Sequence, residues 1–395
     1  MGNPLGNAAR GDRARVQYFY TSSTWIEGKA IEQLDQVANQ FDVKEIAAFP
    51  DLHPGKYGPV GCALSANRIY PQLIGNDIGC GMSVFVLDLP ARKLRVDKAA
   101  ERLRVLEAPW EGDTASALAE AGLPLSLHDG ALGSIGGGNH FCEVQAVHKI
   151  HHAEALASLG IDKNSILLMV HSGSRSLGAS VFGSVQNFIN GLLPGSDDAR
   201  VYLKSHDHAV RWASLNRRII AERAASALRT VCDLAVDSPH NLIEPFDGAW
   251  LHRKGAAKAD VPLVPLAGSR DAFSFLLQPT DKIDTALHSL AHGAGRKYDR
   301  RSMAGRVGNT RSDRDRLERT SFGGRVVCED RQLLLEEAPE AYKDPTVVAR
   351  DLEHFGLVEK ALTMKPLITF KKALAEKALQ RETKQATLLQ RRRDR

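Results

Sequence analysis

No apolar run in this 395-residue chain approaches the ~18 residues that a membrane-spanning helix needs. The opening Met1-Gly2-Asn3-Pro4-Leu5-Gly6-Asn7 lacks the charged-then-apolar layout of a secretory signal. It also misses the myristoylation pattern, because Gly6 stands where Ser or Thr is required. A cytoplasmic protein with no membrane partner is the expectation. Cysteine is scarce: Cys62, Cys80, Cys142, Cys232 and Cys328 are odd in number and far apart, with no CxxC pair. That excludes a disulfide scaffold and fits a reducing compartment, where a special cysteine serves as ligand or nucleophile. The usual phosphate-binding motifs are missing as well. Gly55-Lys56 is followed by Tyr57, which has no short hydroxyl to hold a metal, so it is not a P-loop, and no intact GxGxxG follows a strand. A nucleotide bound here needs another device. There is no internal repeat and no Pro/Gly/Ser linker.

What is present is an ordinary globular composition, 43% hydrophobic and 25% charged, long enough for one large core or two medium ones. The net charge of +5 is unevenly spread. Residues 371–395 hold nine Lys/Arg against three Asp/Glu, and the remaining 370 sum to −1. A basic tail fits either a polyanion partner or a solvated surface helix. Short apolar runs bounded by Gly, Pro, Asn and Asp predict strands at 46–49, 82–87, 166–170, 263–266, 273–277, 325–327 and 367–370. Periodicity near 3.6 predicts helices at 25–41, 98–106, 208–234 and 347–362. In the longest, Trp212, Leu215, Ile219, Leu228 and Val231 supply the apolar stripe. Strands and helices mix without a βαβ rhythm, so the fold class is α+β. The expected organisation is a flexible N-terminus over 1–15, one catalytic domain over 16–371 and a basic, helical tail over 372–395.

The chemistry gathers in five segments that share a texture: a strand end, then Gly or Asn, then a metal-capable side chain. They are Gly75-Asn76-Asp77-Ile78-Gly79-Cys80-Gly81, Gly136-Gly137-Gly138-Asn139-His140-Phe141-Cys142-Glu143, Val170-His171-Ser172-Gly173-Ser174-Arg175, Pro239-His240-Asn241 and Ala291-His292-Gly293-Ala294-Gly295-Arg296. Each alone also reads as a turn carboxylate, a small core residue or a satisfied histidine. Together, Asp, Cys and three His make a donor set of mixed hardness, suited to a first-row transition metal rather than to Ca²⁺ or Mg²⁺. A single thiolate can bridge two ions. Gly293-Ala294-Gly295 can aim successive N–H groups at one anion, with Arg296 as a phosphate fork. His292 beside such a cradle suits nucleophilic attack on phosphorus. Arg175, Arg253, Lys254 and Lys371 are further candidates for substrate phosphates. Gly268-Ser269-Arg270 is either an anion loop or a strand turn. His206 and His208 read as helix-start chemistry rather than as metal ligands.

These segments, with Pro50-Asp51-Leu52-His53-Pro54-Gly55-Lys56, His252-Arg253-Lys254-Gly255-Ala256 and Ala338-Pro339-Glu340-Ala341-Tyr342-Lys343, closely resemble the RtcB family of RNA-splicing ligases. The motifs occur in family order over roughly residues 45 to 371. The variants around Lys56-Tyr57-Gly58 and Ala267-Gly268-Ser269-Arg270-Asp271 look most like the subgroup associated with a release-factor-H-type protein. The resemblance implies an α+β domain with packed sheets flanked by helices and a deep metal-containing cleft. It implies a GTP- and Mn²⁺-dependent ligase that joins RNA 3′-phosphate or 2′,3′-cyclic phosphate ends to 5′-hydroxyl ends. Asp77, Cys80 and His140 match the ligands of one Mn²⁺; Cys80, His171 and His240 match those of the other, with Cys80 as the bridge. His292 matches the guanylylated histidine. Asn139, His140, Phe141, Cys142, Glu143, His240, Asn241, Ala267, Gly268, Ser269, Arg270, Ser274, Gly293, Ala294, Gly295 and Lys371 match GTP-contacting positions. The subgroup implies repair of nicked ribosomal RNA, with the ribosome and a release-factor-H-like protein as partners.

Four departures bear on substrate choice, among them Ala267 where the family usually has Pro and a stretch between His140 and His171 longer than in short members. Asp299 stands where the family often has Ser or Thr, and could repel an RNA phosphate or pair with Arg300 or Arg301. The chain also runs 24 residues past Lys371. A non-catalytic RNA- or ribosome-binding homologue and a cyclic phosphodiesterase without ligase activity are the alternatives. Loss of any metal ligand or of His292 would favour the former, and none is lost.

Overall fold

A computed structural model describes residues 13–308 and 310–371. The expectations for residues 1–12 and for the tail 372–395 lie outside the described residues. Among those described, fifteen strands form: β1 (Arg15–Tyr18), β2 (Val43–His53), β3 (Val60–Ala66), β4 (Gly81–Leu87), β5 (Phe141–Ile150), β6 (Ile166–Ser172), β7 (Cys232–Pro239), β8 (Asn241–Phe246), β9 (Ala249–Lys254), β10 (Ala256–Lys258), β11 (Val264–Leu266), β12 (Ser274–Pro279), β13 (Ser289–Ala291), β14 (Arg325–Val327) and β15 (Val358–Phe370). One sheet runs β1-β2-β3-β9-β8, and the larger runs β11-β12-β15-β5-β6-β4-β7 with β14 on β15. β10 and β13 form a separate ribbon. Arg15 already pairs with Glu45 in β1, so order begins inside the stretch expected to be loose.

Alternation along β6 explains how the large sheet is sandwiched. Ile166, Leu168 and Val170 pack with Leu103 and Ile220 of the covering helices Val96–Leu103 and Asp197–Leu228. Leu167 and Met169 face the other way, onto Met82, Val84 and Met364. Because side chains alternate with period two, His171 continues this second column and stands where the apolar face ends. The two sheets meet in another core, where Phe49, Ala63 and Leu251 pack against Leu266, Phe275 and Leu277. The helix Pro345–His354 adds Val348 and Leu352 there. The architecture is the expected α+β one, a single domain of large sheets flanked by helices.

The largest departures from the expected boundaries fall on two helices. The longest helix is Asp197–Leu228, starting and ending earlier than 208–234. The Ser196 hydroxyl accepts from the Ala199 N–H, and Asp197 and Asp198 sit in the positive first turn. Residues 232–234 are instead strand, because β7 completes the edge of β4; Val231 is left exposed outside the helix. The predicted helix over 347–362 stops at His354, since residues from Val358 are claimed by pairing with β12 and β5. Local periodicity cannot report such long-range pairing. His206 and His208 therefore lie in the helix interior, not at its start. His206 Nε2 accepts the Ile243 N–H at 2.9 Å, a structural bond.

His252 is used the same way. Its Nε2 accepts the Tyr70 N–H at 2.9 Å while Nδ1 donates to the Trp250 carbonyl at 3.0 Å. Burial lowers its pKa from the ordinary histidine value of 6.5 to about 4. On acidification the unfolded chain therefore binds a proton first, and stability falls as pH drops from about 6.5 towards 4. Thermal unfolding of the wild type and of His252→Gln across this range checks the point. The variant, whose amide oxygen can still accept from Tyr70, should lose Tm less steeply. Parallel slopes would show that His252 does not drive the loss.

Candidate active site

Four adjacent strands bring one end of the large sheet to a common line. In register, Phe141 of β5 opposes His171 of β6, His171 opposes Met82 of β4, and Met82 opposes Ser238 of β7. His140 precedes β5, Cys80 precedes β4 and His240 follows β7, so residues up to 160 apart in sequence are next-door neighbours in space. Cys80 Sγ lies 3.3 Å from His140 Nε2 and 3.2 Å from His171 Nε2. His171 Nε2 is 3.3 Å from His240 Nε2, and His140 Nε2 is 3.0 Å from Asp77 Oδ2. The outer nitrogens fix the rings: His140 Nδ1 meets the Ile135 carbonyl at 3.1 Å, and His171 Nδ1 meets that of Asn139 at 3.2 Å. With those protons donated outward, the Nε2 lone pairs converge. Gly173 is required beside them, since a Cβ there would stand 2.1 Å from Asp77 Oδ1.

The electrostatics of this cluster suit a cation. Burial and neighbouring imidazoles push His171 and His240 well below the usual histidine range. Burial opposes ionisation of Asp77, but His140, Cys80 and Lys254 outweigh it and hold the carboxyl well below its ordinary value. Burial and the Asp77 charge push the Cys80 thiol well up, a shift that a bound dication would reverse. Two triads, Asp77–Cys80–His140 and Cys80–His171–His240, each hold their donor atoms within 4.8 Å of one another and share the sulfur. Soft sulfur, imidazole and carboxylate in two such sets could hold a pair of transition-metal ions.

Above the cluster opens a cleft of about 390 Å³. His292 lines it, ring centroid 4.6 Å from that of His240. Its Nδ1 is 2.7 Å from Oδ2 of the fully buried Asp51, which also accepts the His292 backbone N–H at 3.2 Å. Asp51 is in turn bracketed by Lys343, whose ammonium donates to the Pro50 and Leu52 carbonyls at 2.9 and 2.8 Å. Burial draws that lysine down to about 8, partly opposed by Asp51. Gly295, with φ +72°, lets the two segments touch, because a Cβ would overlap the Asp51 carbonyl at 2.3 Å.

Most of the expected nucleotide positions also face this cleft. Asn139, Phe141, Glu143, Asn241, Ala267–Arg270, Gly293–Gly295 and Lys371 line it. Cys142 does not: it turns to the helix-covered face with Val144 and Phe370. Ser274 stands behind the lining and holds it, accepting from the Gly268 N–H at 3.0 Å and from Gln145 Nε2 at 3.1 Å. The Asn241 amide bonds the Asp77 carbonyl and the Gly255 N–H, so it staples two loops. Glu143 accepts from Gln145 and Thr369, and burial raises its pKa to about 7. Arg270 keeps a buried Nη1 with no partner among the described residues.

Several basic groups do other work than expected. The Ala294 N–H donates to the Ala267 carbonyl at 2.9 Å, so the proposed anion nest is partly spent on the backbone. Arg296 is not a free fork; it bonds the Tyr298 and Glu336 carbonyls and Glu337. Arg253 is buried against Glu244, Ser289 and the His288 carbonyl, a structural role. Arg175 sits beside the donor cluster, Nη1 3.4 Å from His140 Nδ1, and Lys254 lines the cleft while donating to the Ile74 carbonyl. Asp299 pairs with neither Arg300 nor Arg301; its carboxylate accepts the Ser302 N–H at 3.1 Å, at the start of the turn Arg301–Gly305.

Sequence reading passed over Glu337 and gave Asp51 no role. Glu337 is a buried carboxylate that ties Lys371, Arg296, Arg300 and the Tyr342 hydroxyl together. Burial opposes its charge, yet the three cations lower its pKa to about 2. Asp51 was visible as part of a motif, but only proximity links it to His292, 241 residues on.

The shared sulfur makes a measurable difference between two cysteines. Elemental analysis should find Cys80→Ala with less bound metal than Cys142→Ala, whose side chain faces away. Equal metal content would remove the bridging role.

Comparisons with known proteins agree on one family. The family model described as "tRNA-splicing ligase RtcB" matches residues 33–111 and 125–372. The chain is 42% identical over 365 residues to the RNA-splicing ligase RtcB2 of Escherichia coli, covering 89% of this chain and 94% of that protein. It is 28% identical over 421 residues to the RNA-splicing ligase RtcB of Mycobacterium tuberculosis, covering 82% and 96%. To the tRNA-splicing ligase RtcB of Methanococcus maripaludis it is 29% identical over 285 residues, covering 60% and 58%. With its sheets, its cleft and its donor cluster accounted for, this chain belongs to the RtcB family.

Proposed function

We propose that this protein is an RNA ligase that seals a 3′-phosphate or 2′,3′-cyclic phosphate end to a 5′-hydroxyl end, with GTP and two Mn²⁺ ions. The observation that carries the reading is His292, hydrogen-bonded through Nδ1 to buried Asp51 and facing a cleft floored by two donor triads that share Cys80. The printed names of the relatives, RNA-splicing and tRNA-splicing ligases, support the same reaction class.

Asp51 keeps the ring proton on Nδ1 and leaves Nε2 as a nucleophile. In the first step Nε2 attacks the α-phosphorus of GTP; the N–P bond forms, the bond from that phosphorus to the bridging oxygen breaks, and pyrophosphate leaves. The imidazolium charge that develops is met by the Asp51 carboxylate. Asp77, Cys80 and His140 would hold one ion and Cys80, His171 and His240 the other, supplying positive charge to the phosphate oxygens. Asn139, Phe141, Glu143, Asn241, Ala267–Arg270, Gly293–Gly295 and Lys371 are the residues available to the nucleotide. GMP then passes to the RNA 3′-phosphate, and the 5′-hydroxyl displaces it to leave a phosphodiester. A cyclic phosphate must first be opened by water. An RNA-repair role on nicked ribosomal RNA in the cytoplasm, beside a release-factor-H-like protein, rests on the motif variants at Lys56-Tyr57-Gly58 and 267–271.

The deciding experiment incubates the protein with a 2′,3′-cyclic-phosphate RNA and a 5′-hydroxyl RNA in Mn²⁺, with and without GTP. Joined product only with GTP is expected; a hydrolysed, unjoined end in both would point to a phosphodiesterase. His292→Ala should abolish covalent labelling by radioactive GTP while keeping its metal, and full labelling would refute the nucleophile. Asp51→Asn should slow labelling by about 10²–10⁴-fold through the wrong tautomer. Deleting residues 372–395, which carry a net +5, should weaken RNA binding and flatten its salt dependence. An unchanged salt slope would assign the tail elsewhere.

A further inference from the structure

The long helix Asp197–Leu228 places a guanidinium directly beneath the donor cluster. Arg217 is 1% exposed. Its Nη1 donates to the Gly79 carbonyl at 2.8 Å and to the Ser172 carbonyl at 3.0 Å. Gly79 immediately precedes Cys80, and Ser172 immediately follows His171. The rest of the fork is held from the far side: Nε and Nη2 reach Asp237 Oδ1 at 2.9 and 2.7 Å, and Nε also meets Ser83 Oγ at 2.9 Å. Asp237 is itself fixed by Ser83 at 2.6 Å and Ser214 at 2.7 Å. The neighbouring Asn216 extends the grip, donating to the Ser134, Ser172 Oγ and Gly173 oxygens.

We infer that Arg217 is a positioning residue for the metal centre, setting the separation of Cys80 Sγ and His171 Nε2 by holding the two backbone carbonyls next to them. The inference rests on reading that cluster as a metal site. Sheet pairing fixes His171, which lies inside β6 opposite Met82, but Cys80, 3.2 Å from its ring, stands one residue before β4, and the Arg217 bonds to the Gly79 and Ser172 carbonyls tie that turn to the end of β6. A guanidinium is needed because one planar group must serve two carbonyls on one edge and a carboxylate on the other. A lysine offers a point charge without that fork. The packing is close: a Cβ on Gly81 would lie 3.0 Å from Arg217 Cζ.

The test compares Arg217→Lys with Asp237→Asn by Co²⁺ titration, reading the thiolate-to-cobalt absorption band, with thermal unfolding alongside. Both variants should lose Tm, since each disturbs the buried pair. Asp237→Asn keeps the two carbonyl bonds and should keep the band and its midpoint. Arg217→Lys should weaken Co²⁺ binding by about tenfold or more, in the range typical of residues that orient ligands, and shift the band. Affinity losses that track the Tm losses equally in both variants, or an unshifted band in Arg217→Lys, would overturn the inference. If Arg217→Lys does not fold, Arg217→Gln, which can still donate to one carbonyl, is read the same way. A wild type that takes up no Co²⁺ would defeat the metal reading itself, a distinct outcome.

Discussion

The antiparallel register of β4 between β6 and β7 is the constraint on which the site depends. It sets Met82 opposite both His171 and Ser238. Cys80 and His240 then sit just past the same edge, and the His240 N–H donates to the Cys80 carbonyl at 2.8 Å. A slip of one residue would turn His171 to the helix-covered face and bury Val170 in the site. Register here is strongly specified because both faces of β6 are buried, each by a different apolar cluster.

The cleft therefore has a layered logic. Its floor is a set of metal-capable donors, with the Nδ1 atoms of His140 and His171 tied to backbone carbonyls. Its wall carries His292, oriented by Asp51, which Lys343 brackets from behind. Its rim gathers Lys371, Arg296 and Arg300 around Glu337. A single buried carboxylate shared by three cations leaves a net positive surplus where a nucleotide and an RNA end would bring negative charge. Such buried ion pairs contribute little net stability, so their placement reads as positioning rather than as reinforcement of the fold.

Much of this was readable from residue types and spacing. The strands at 82–87 and 166–170 lie inside β4 and β6, because a short apolar run between Gly and polar residues has few other options. The metal-capable residues stood out because each lay at or near the end of an apolar run, in a segment carrying Gly or Asn. What escaped was of two kinds. Residues 232–234 and 358–362 looked helical until strands remote in sequence paired with them. Arg253 and Arg296 looked free until Glu244 and Glu337 appeared beside them.

By itself, the sequence determined the donor types, the glycine-flanked turns that carry them, the α+β class and the family resemblance, because each is a local property of composition and order. Only the tertiary structure decided which donors share one sulfur, which carboxylate orients His292, and which arginine holds the loops apart. Those are distances across 45 to 241 residues of chain, and nothing in local propensity encodes a distance between residues that only sheet pairing and packing bring together.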